Sequence, residues 1–354
     1  MRSRIEVLEE TKWGGVKIHC TYDDITSYQN LLASWQEFLN GKKKRKDVAE
    51  FSASFADHIS RLHSDLRTKT YRHGAYYPFK INDPKPRDIH KATVRDRLVH
   101  HAIYRMLYPH FDSLFIFDSY SCRIGKGTHR AVNRFRDFGR IVSKNSTRTC
   151  WVLKCDIRKF FASINHAILK SILARHIFDS DIIGLFSEII DSFETDERPG
   201  VGLPLGNLTS QLLVNIYMNK FDHYVKRKLK VRYYIRYADD FVVFSENKTF
   251  LESLIPRMVE FLRTRLCLEF HPKKVSIKTL ASGVDFLGWI NFPKYRVLRT
   301  STKHRMFRNL EKNLDATTLT SYIGLLMHGN THTLRQQIKT LAFRKNSAIV
   351  LDLW

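Results

Sequence analysis

Apolar residues recur every three to four positions from Ile25 to Leu39, placing Leu31, Leu32, Trp35, Phe38 and Leu39 together. The pattern recurs from Val48 to Leu66 with Phe51, Phe55, Ile59, Leu62 and Leu66. That period predicts two helices, joined by a basic loop, GKKKRK, at Gly41 to Lys46. The pattern changes at Tyr71. Tyr76, Tyr77, Phe79 and Ile81, followed by Asp83-Pro84-Lys85-Pro86-Arg87, predict a strand, a turn and a second strand. Residues 94–110 read as helix again, basic and rich in histidine. Thr149 to Ile157 is strand-like in its β-branched and aromatic content. A long helix is predicted over Thr209 to Lys230, with Leu212, Leu213, Ile216, Phe221, Val225 and Leu229 facing inward. Tyr233 to Ser245 is two short apolar runs flanking an acidic pair, Val284 to Ile290 a buried strand, and 301–354 helical and basic. Helices and strands alternate with non-local pairings, so the expected class is α+β, with helices on one face of a sheet.

Composition narrows the function. The 354 residues hold 59 Lys and Arg against 35 Asp and Glu, a formal net charge of +24, with 43% hydrophobic residues. Such a chain can build a core and calls for a polyanionic partner, nucleic acid before membrane. No apolar run approaches the roughly 20 residues that span a bilayer, and MRSRIEVLEE lacks the apolar centre of a signal peptide. Five scattered cysteines without a C-x-x-C pair point to a reducing, cytoplasmic setting without disulfides or structural zinc. Four histidines, His90, His100, His101 and His110, are joined by no carboxylate or cysteine at ligand spacing, so no metal site is expected there. The lysine run reads first as a solvated loop, with phosphate contact the competing reading that the basic chain favours.

The acidic residues carry the chemistry. Asp239 and Asp240 stand between apolar strands, where a hairpin tip prefers Asn-Gly or Gly-Gly. Two like charges held there need a cation. Asp156 closes another apolar strand. Three carboxylates at adjacent strand ends suit two Mg²⁺ ions about 4 Å apart, which could activate a 3′-hydroxyl and steady a leaving pyrophosphate.

With these residues in view, the chain resembles reverse transcriptases of the bacterial, group II intron-like kind. Tyr237-Ala238-Asp239-Asp240 is similar to the family's catalytic box, and Asp156-Ile157-Arg158-Lys159-Phe160-Phe161 to its first palm motif. Gly202 to Gln211 (GLPLGNLTSQ) resembles the loop and helix beneath the nascent base pair, and Phe286-Leu287-Gly288-Trp289 the primer grip. Ser119 to Arg123 with Gly125 to Thr128, and Pro84 to Arg87 with Arg95 to Arg97, resemble finger segments. The resemblance implies a right-hand polymerase. Residues 1–70 would be a helical extension, 71–150 fingers, 151–290 palm with an insertion around 178–200, and 291–354 a helical thumb.

The same resemblance implies the roles. Asp156, Asp239 and Asp240 would be catalytic and, with Ile157, form the metal site. Phe161 would exclude a 2′-hydroxyl. Lys85, Arg87, Leu205, Gly206 and Gln211 would line the nucleotide site. Lys274 would protonate pyrophosphate, with Lys273 an equal neighbour. Leucine at 205, where most members carry glutamine, and Gln211, where they carry proline, are similar to diversity-generating retroelement enzymes. Ser321 to Gly324 and His328 to Thr331 are similar to that group's thumb. That subtype implies error-prone copying of a template-repeat RNA, above all at adenines. It also implies a small basic, homopentameric accessory protein beside RNA template, cDNA hybrid and deoxynucleotides. The alternative is a defence-associated or other unclassified bacterial enzyme. Mobile intron proteins carry further nuclease or maturase segments, which are not expected here, so that reading ranks below both.

Overall fold

The computed structural model describes residues 20–82, 86–195 and 198–344. Lys85, the start of the N-terminal extension and residues 345–354 of the expected thumb lie outside them. At the centre is a four-stranded antiparallel sheet in the order Tyr234–Tyr237, Asp240–Ser245, Trp151–Asp156, Ser276–Thr279. Its strands are apolar on both faces. Leu153, Cys155, Phe241 and Val243 enter one core, and Val152, Val242 and Phe244 another. Helix Lys248–Leu266 covers the first face. Helix Thr128–Val142 covers the second, with Phe135 and Phe138 against Phe244 at ring separations of 4.7 and 5.9 Å. The expectation of helices on one face therefore fails. Near-continuous apolar runs such as Phe241 to Phe244 signal burial on both sides.

Other departures are local. The first two predicted helices are each broken by a serine. Tyr22–Thr26 and Tyr28–Leu39 flank Ser27, whose hydroxyl caps the second piece by accepting from Asn30 N at 3.2 Å, and Lys46–Ala53 and Phe55–Arg67 flank Ser54. The long helix runs as Leu208–His223 and continues through a wider π-turn, Tyr224–Lys228. Val284 to Ile290 is not one strand but a hairpin, Val284–Phe286 and Trp289–Asn291, joined by Arg296–Leu298 into a second sheet. Leu287 and Gly288 turn it with φ of 49° and 87°.

The predicted finger strands are Tyr77–Ile81 and Arg87–Lys91, antiparallel and largely exposed. Beyond the second sheet come helices Thr300–Lys312, Ala316–Leu326 and His332–Arg344. The loop before the last of these closes on the hairpin. A Cβ on Gly329 would lie 2.1 Å from the Trp289 ring, so only glycine lets the two meet. His328 of that loop stacks on His129 of helix Thr128–Val142, 3.6 Å between rings. Among the described residues no helix is long and apolar enough to cross a membrane.

Candidate active site at the edge of the central sheet

Strand register brings the acidic residues together. Asp156 and Asp240 are direct antiparallel partners, which sets their Cα atoms about 5 Å apart with both side chains on one face. Asp239 is fastened alongside, its carbonyl accepting from Ile157 N at 3.3 Å. The Ile157 side chain is buried and apolar, so only its backbone oxygen can serve a cation. Burial first, and then the Asp240 and Asp156 charges, push the Asp239 carboxyl up to about 6. Burial also raises Asp240, against the pull of Lys154, whose Nζ stands 3.9 Å from Oδ1. Lys274 grips both oxygens of Asp156 at 2.9 Å. Of the two lysines left open by the sequence, Lys274 thus reaches the carboxylates.

The turn carrying Asp239 is clamped from beneath. Arg236 and Asp222 form an ion pair with no exposed side-chain surface, Nη2 to Oδ2 at 2.8 Å. Tyr234 donates to Asp222 at 2.7 Å, and Arg236 donates to Ser119 Oγ and Asn215 Oδ1. Its Nη1 also donates to the Ala238 carbonyl at 3.1 Å. Ala238 has φ of 54°, a conformation that costs a non-glycine residue about 1 kcal/mol. The guanidinium holds the strained turn from inside the core. The backbone of Asp118 and Tyr120 adds to the frame by pairing with that of Arg236 at 3.0 Å on each side.

The loop before the central helix bridges to the finger hairpin. Leu205 accepts through its carbonyl from His90 N at 3.0 Å, and Gly206, at φ 108°, would push a Cβ to 2.8 Å from Ile89. Asn207 starts helix Leu208–His223 without capping it. Its amide instead donates to the His90 carbonyl at 2.8 Å and its oxygen accepts from Ala92 N at 3.3 Å. Gln211, half-buried, occupies the first turn of that helix. Phe161 is half-buried in a single 3₁₀ turn, its carbonyl accepting from Leu203 N at 2.8 Å. Nearby, Asp96 is enclosed by Tyr71, Gly74 and Thr93, and Arg97 pairs with Asp47, so both are engaged within the fold.

A cleft of about 740 Å³ joins Arg87 of the finger hairpin to Leu287, Gly288, Trp289, Arg299, Arg305 and Arg308. Phe286 is buried on Phe135 at 5.3 Å and Trp289 is 1% exposed, so the Leu287–Gly288 turn is what the hairpin presents. Sequence reasoning passed over Arg236, Asp222, Lys154 and Asn207. The available signal was charge inside apolar runs: Arg236 lies within YIRYADD and Asp222 follows Phe221 in a buried helix.

The residues fit divalent cations. Asp240 Oδ1 is buried without a hydrogen-bond partner, and three carboxylates face two ammonium groups. Oxygen-only donors suit Mg²⁺. They are not drawn into a closed cage: among the described residues no three His, Cys, Asp or Glu side chains converge as one, and Lys274 occupies Asp156.

Known proteins resemble this chain in sequence and in fold. A family model described as reverse transcriptase (RNA-dependent DNA polymerase) matches residues 80–291, more than half of the chain. Protein YkfC of Escherichia coli K12 is 25% identical over 260 residues, 63% of this chain and 66% of that protein. The group II intron-encoded protein LtrA of Lactococcus lactis is 22% identical over 399 residues, 91% of this chain and 61% of that protein. The chain thus spans less than two thirds of either relative's length. A solved telomerase from Candida albicans, in complex with a fragment of telomeric RNA, shares the fold with TM-score 0.54 and 11% identity, over 86% of this chain and 60% of that one. The architecture is the right-hand polymerase expected from the sequence.

Proposed function

Because the chain belongs to the reverse transcriptase family, we propose that it is an RNA-directed DNA polymerase working at Asp156, Asp239 and Asp240. The observation that carries this reading is the cross-strand pair Asp156–Asp240 with Asp239 fastened beside it, short of positive charge. Mg²⁺ held there would supply Lewis acidity for the primer 3′-hydroxyl and charge neutralisation for the triphosphate. The chain's own groups do the rest. Asp156, Asp239 and Asp240, with the Ile157 carbonyl, would hold the cations. Lys274, which holds Asp156 in this structure, would be the proton donor to pyrophosphate. Arg87 meets the triphosphate as a forked donor; the second expected contact, Lys85, lies outside the described residues. Gly206 and Gln211 border the nascent pair, Phe161 packs against the sugar of a deoxynucleotide, and the Leu287–Gly288 turn steadies the primer. The fingers, palm and thumb take the boundaries expected from the sequence, with the helical extension before them.

We further propose the diversity-generating subtype, copying a template RNA with frequent substitution at adenines. What supports it is Leu205, which offers shape but no hydrogen bond where a polar side chain could check pairing. A small basic pentameric partner belongs to that reading. Sequencing cDNA made by the full chain on a defined RNA tests both levels. Substitutions rich at template adenines and reduced in Leu205→Gln, with ribonucleotides entering Phe161→Ala products, are expected. Faithful cDNA from the wild type moves the reading to a defence-associated or other bacterial enzyme. Equal synthesis by Asp239→Asn sinks the catalytic assignment.

A further inference from the structure

A second cationic cavity, of about 460 Å³, lies at the far end of the Val284–Asn291 hairpin from the Leu287–Gly288 turn. Three residue pairs separate the two ends, about 10 Å along the strands. Arg136, Lys294, Arg296 and His328 line it and no carboxylate does. Arg296 is 8% exposed, and its Nη2 donates to the neutral Asn133 Oδ1 at 2.6 Å. Its Nη1 is buried with no hydrogen-bond partner. A guanidinium enclosed in this way, beside a second arginine, has a neutral amide as its acceptor, and Asp137 acts on it through charge without a hydrogen bond. Arg136 is itself shared with Asp137 at 3.5 Å. At the mouth, Phe292 and Tyr295 stack at 4.8 Å, and Tyr295 is 51% exposed. A cationic recess beside an exposed aromatic face is the pairing that grips a nucleotide, by phosphate and by base.

We propose that this cavity binds the phosphate of a nucleotide, with the base on Tyr295, and that the nucleotide belongs to an RNA segment lying outside the primer–template cleft. The choice of RNA as its source rests on the polymerase reading; the phosphate chemistry rests on the cavity alone. Binding there would also engage helix Thr128–Val142 and the His328 loop together, since Arg136 and His328 come from each.

The test uses the full chain carrying Asp239→Asn, so that no extension competes with binding, and a single-stranded RNA containing 4-thiouridine. After photocrosslinking, adducts are mapped by peptide mass spectrometry. Adducts on Phe292 or Tyr295 are expected. Their yield should fall about tenfold in Arg136→Gln/Lys294→Gln, two exposed substitutions that remove phosphate contacts, while adducts at Leu287 to Trp289 persist. Unlabelled RNA should compete them away and AMP should not; competition by AMP and inorganic phosphate alone would keep the phosphate site but overturn RNA as its source. No adduct at 292–295, or an equal yield in the double variant, overturns the site. Crosslinking needs no catalysis, so its failure is distinct from failure to make cDNA.

Discussion

Two charged clusters sit within a few residues of each other on the Tyr234–Ser245 hairpin and behave oppositely. Beneath the turn, Arg236 and Asp222 are sealed from solvent; Asp222 also accepts from the Tyr234 hydroxyl, and Arg236 also donates to Asn215, Ser119 and the Ala238 carbonyl. Above it, Asp156, Asp239 and Asp240 share two lysines, and the one facing Asp240 stands 3.9 Å from an oxygen that has no hydrogen bond. Both clusters bury charge, but only the first is complete. A completed buried pair defines geometry, whereas an undercompensated one is poised to take up cations. The fold uses the first to hold the second in place, through the bond from Arg236 to the Ala238 carbonyl.

The largest effect should follow from attacking the open cluster. Asp239→Asn is expected to cut cDNA synthesis by about a thousandfold or more, with thermal unfolding intact, as for groups acting together in the transition state. Loss of the fold in that variant would instead mark the aspartate as structural. Attacking the closed cluster should do the reverse. Asp222→Asn leaves Arg236 buried and uncompensated, and urea unfolding should register a loss of about 3–5 kcal/mol. Replacing both partners, Arg236→Met with Asp222→Leu, should restore much of that stability but not the activity, because the Ala238 carbonyl stays unclamped. Full activity in the double variant would break the link between the two clusters.

Lys274→Ala touches the boundary between charge balance and chemistry. Turnover should fall about a hundredfold if the ammonium acts as a general acid. The concentration of Mg²⁺ needed for half-maximal thermal protection should fall too, because Asp156 loses its competitor. An unchanged Mg²⁺ requirement would remove Lys274 from the site. The smallest effect is on stability. Asp239 ionises near 6 in the folded chain, above its ordinary carboxylate value of 3.8. The folded state therefore holds this proton more tightly than the unfolded one. Stability from Asp239 is fully present below the ordinary value and is lost as pH rises through about 6. In EDTA the melting temperature should drop by about 2–4 °C between pH 5 and 7.5 relative to Asp239→Asn, and Mg²⁺ should restore it at the higher pH. Parallel pH profiles for the two proteins would refute the assignment.

Much of this molecule was written locally. The period of Leu31 to Leu39, the turn chemistry of Asp83 to Arg87 and the apolar runs around Asp239 follow from nearest-neighbour physics, and they place helices, a finger hairpin and the carboxylates on their elements. Local patterns also carried the family's motifs in order. What they could not supply is anything that depends on which surfaces meet. An apolar run such as Val284 to Ile290 reads alike as a strand or as a hairpin with a tight middle, and the positive φ at Leu287 and Gly288 decides it. Two adjacent lysines are equivalent until the strand ending at Asp156 and the loop after His271 are docked, when Lys274 is the one of the two that reaches the carboxylate. The pairing of Arg236 with Asp222 joins residues fourteen apart on a strand and a helix. Asn207 has the identity of a helix cap and is used instead to tie the central helix to the finger hairpin. Sequence by itself determined the elements, the charge and the three acids. Tertiary structure decided which charges are balanced, because the energy of a buried charge depends on partners and water around it and not on its neighbours along the chain.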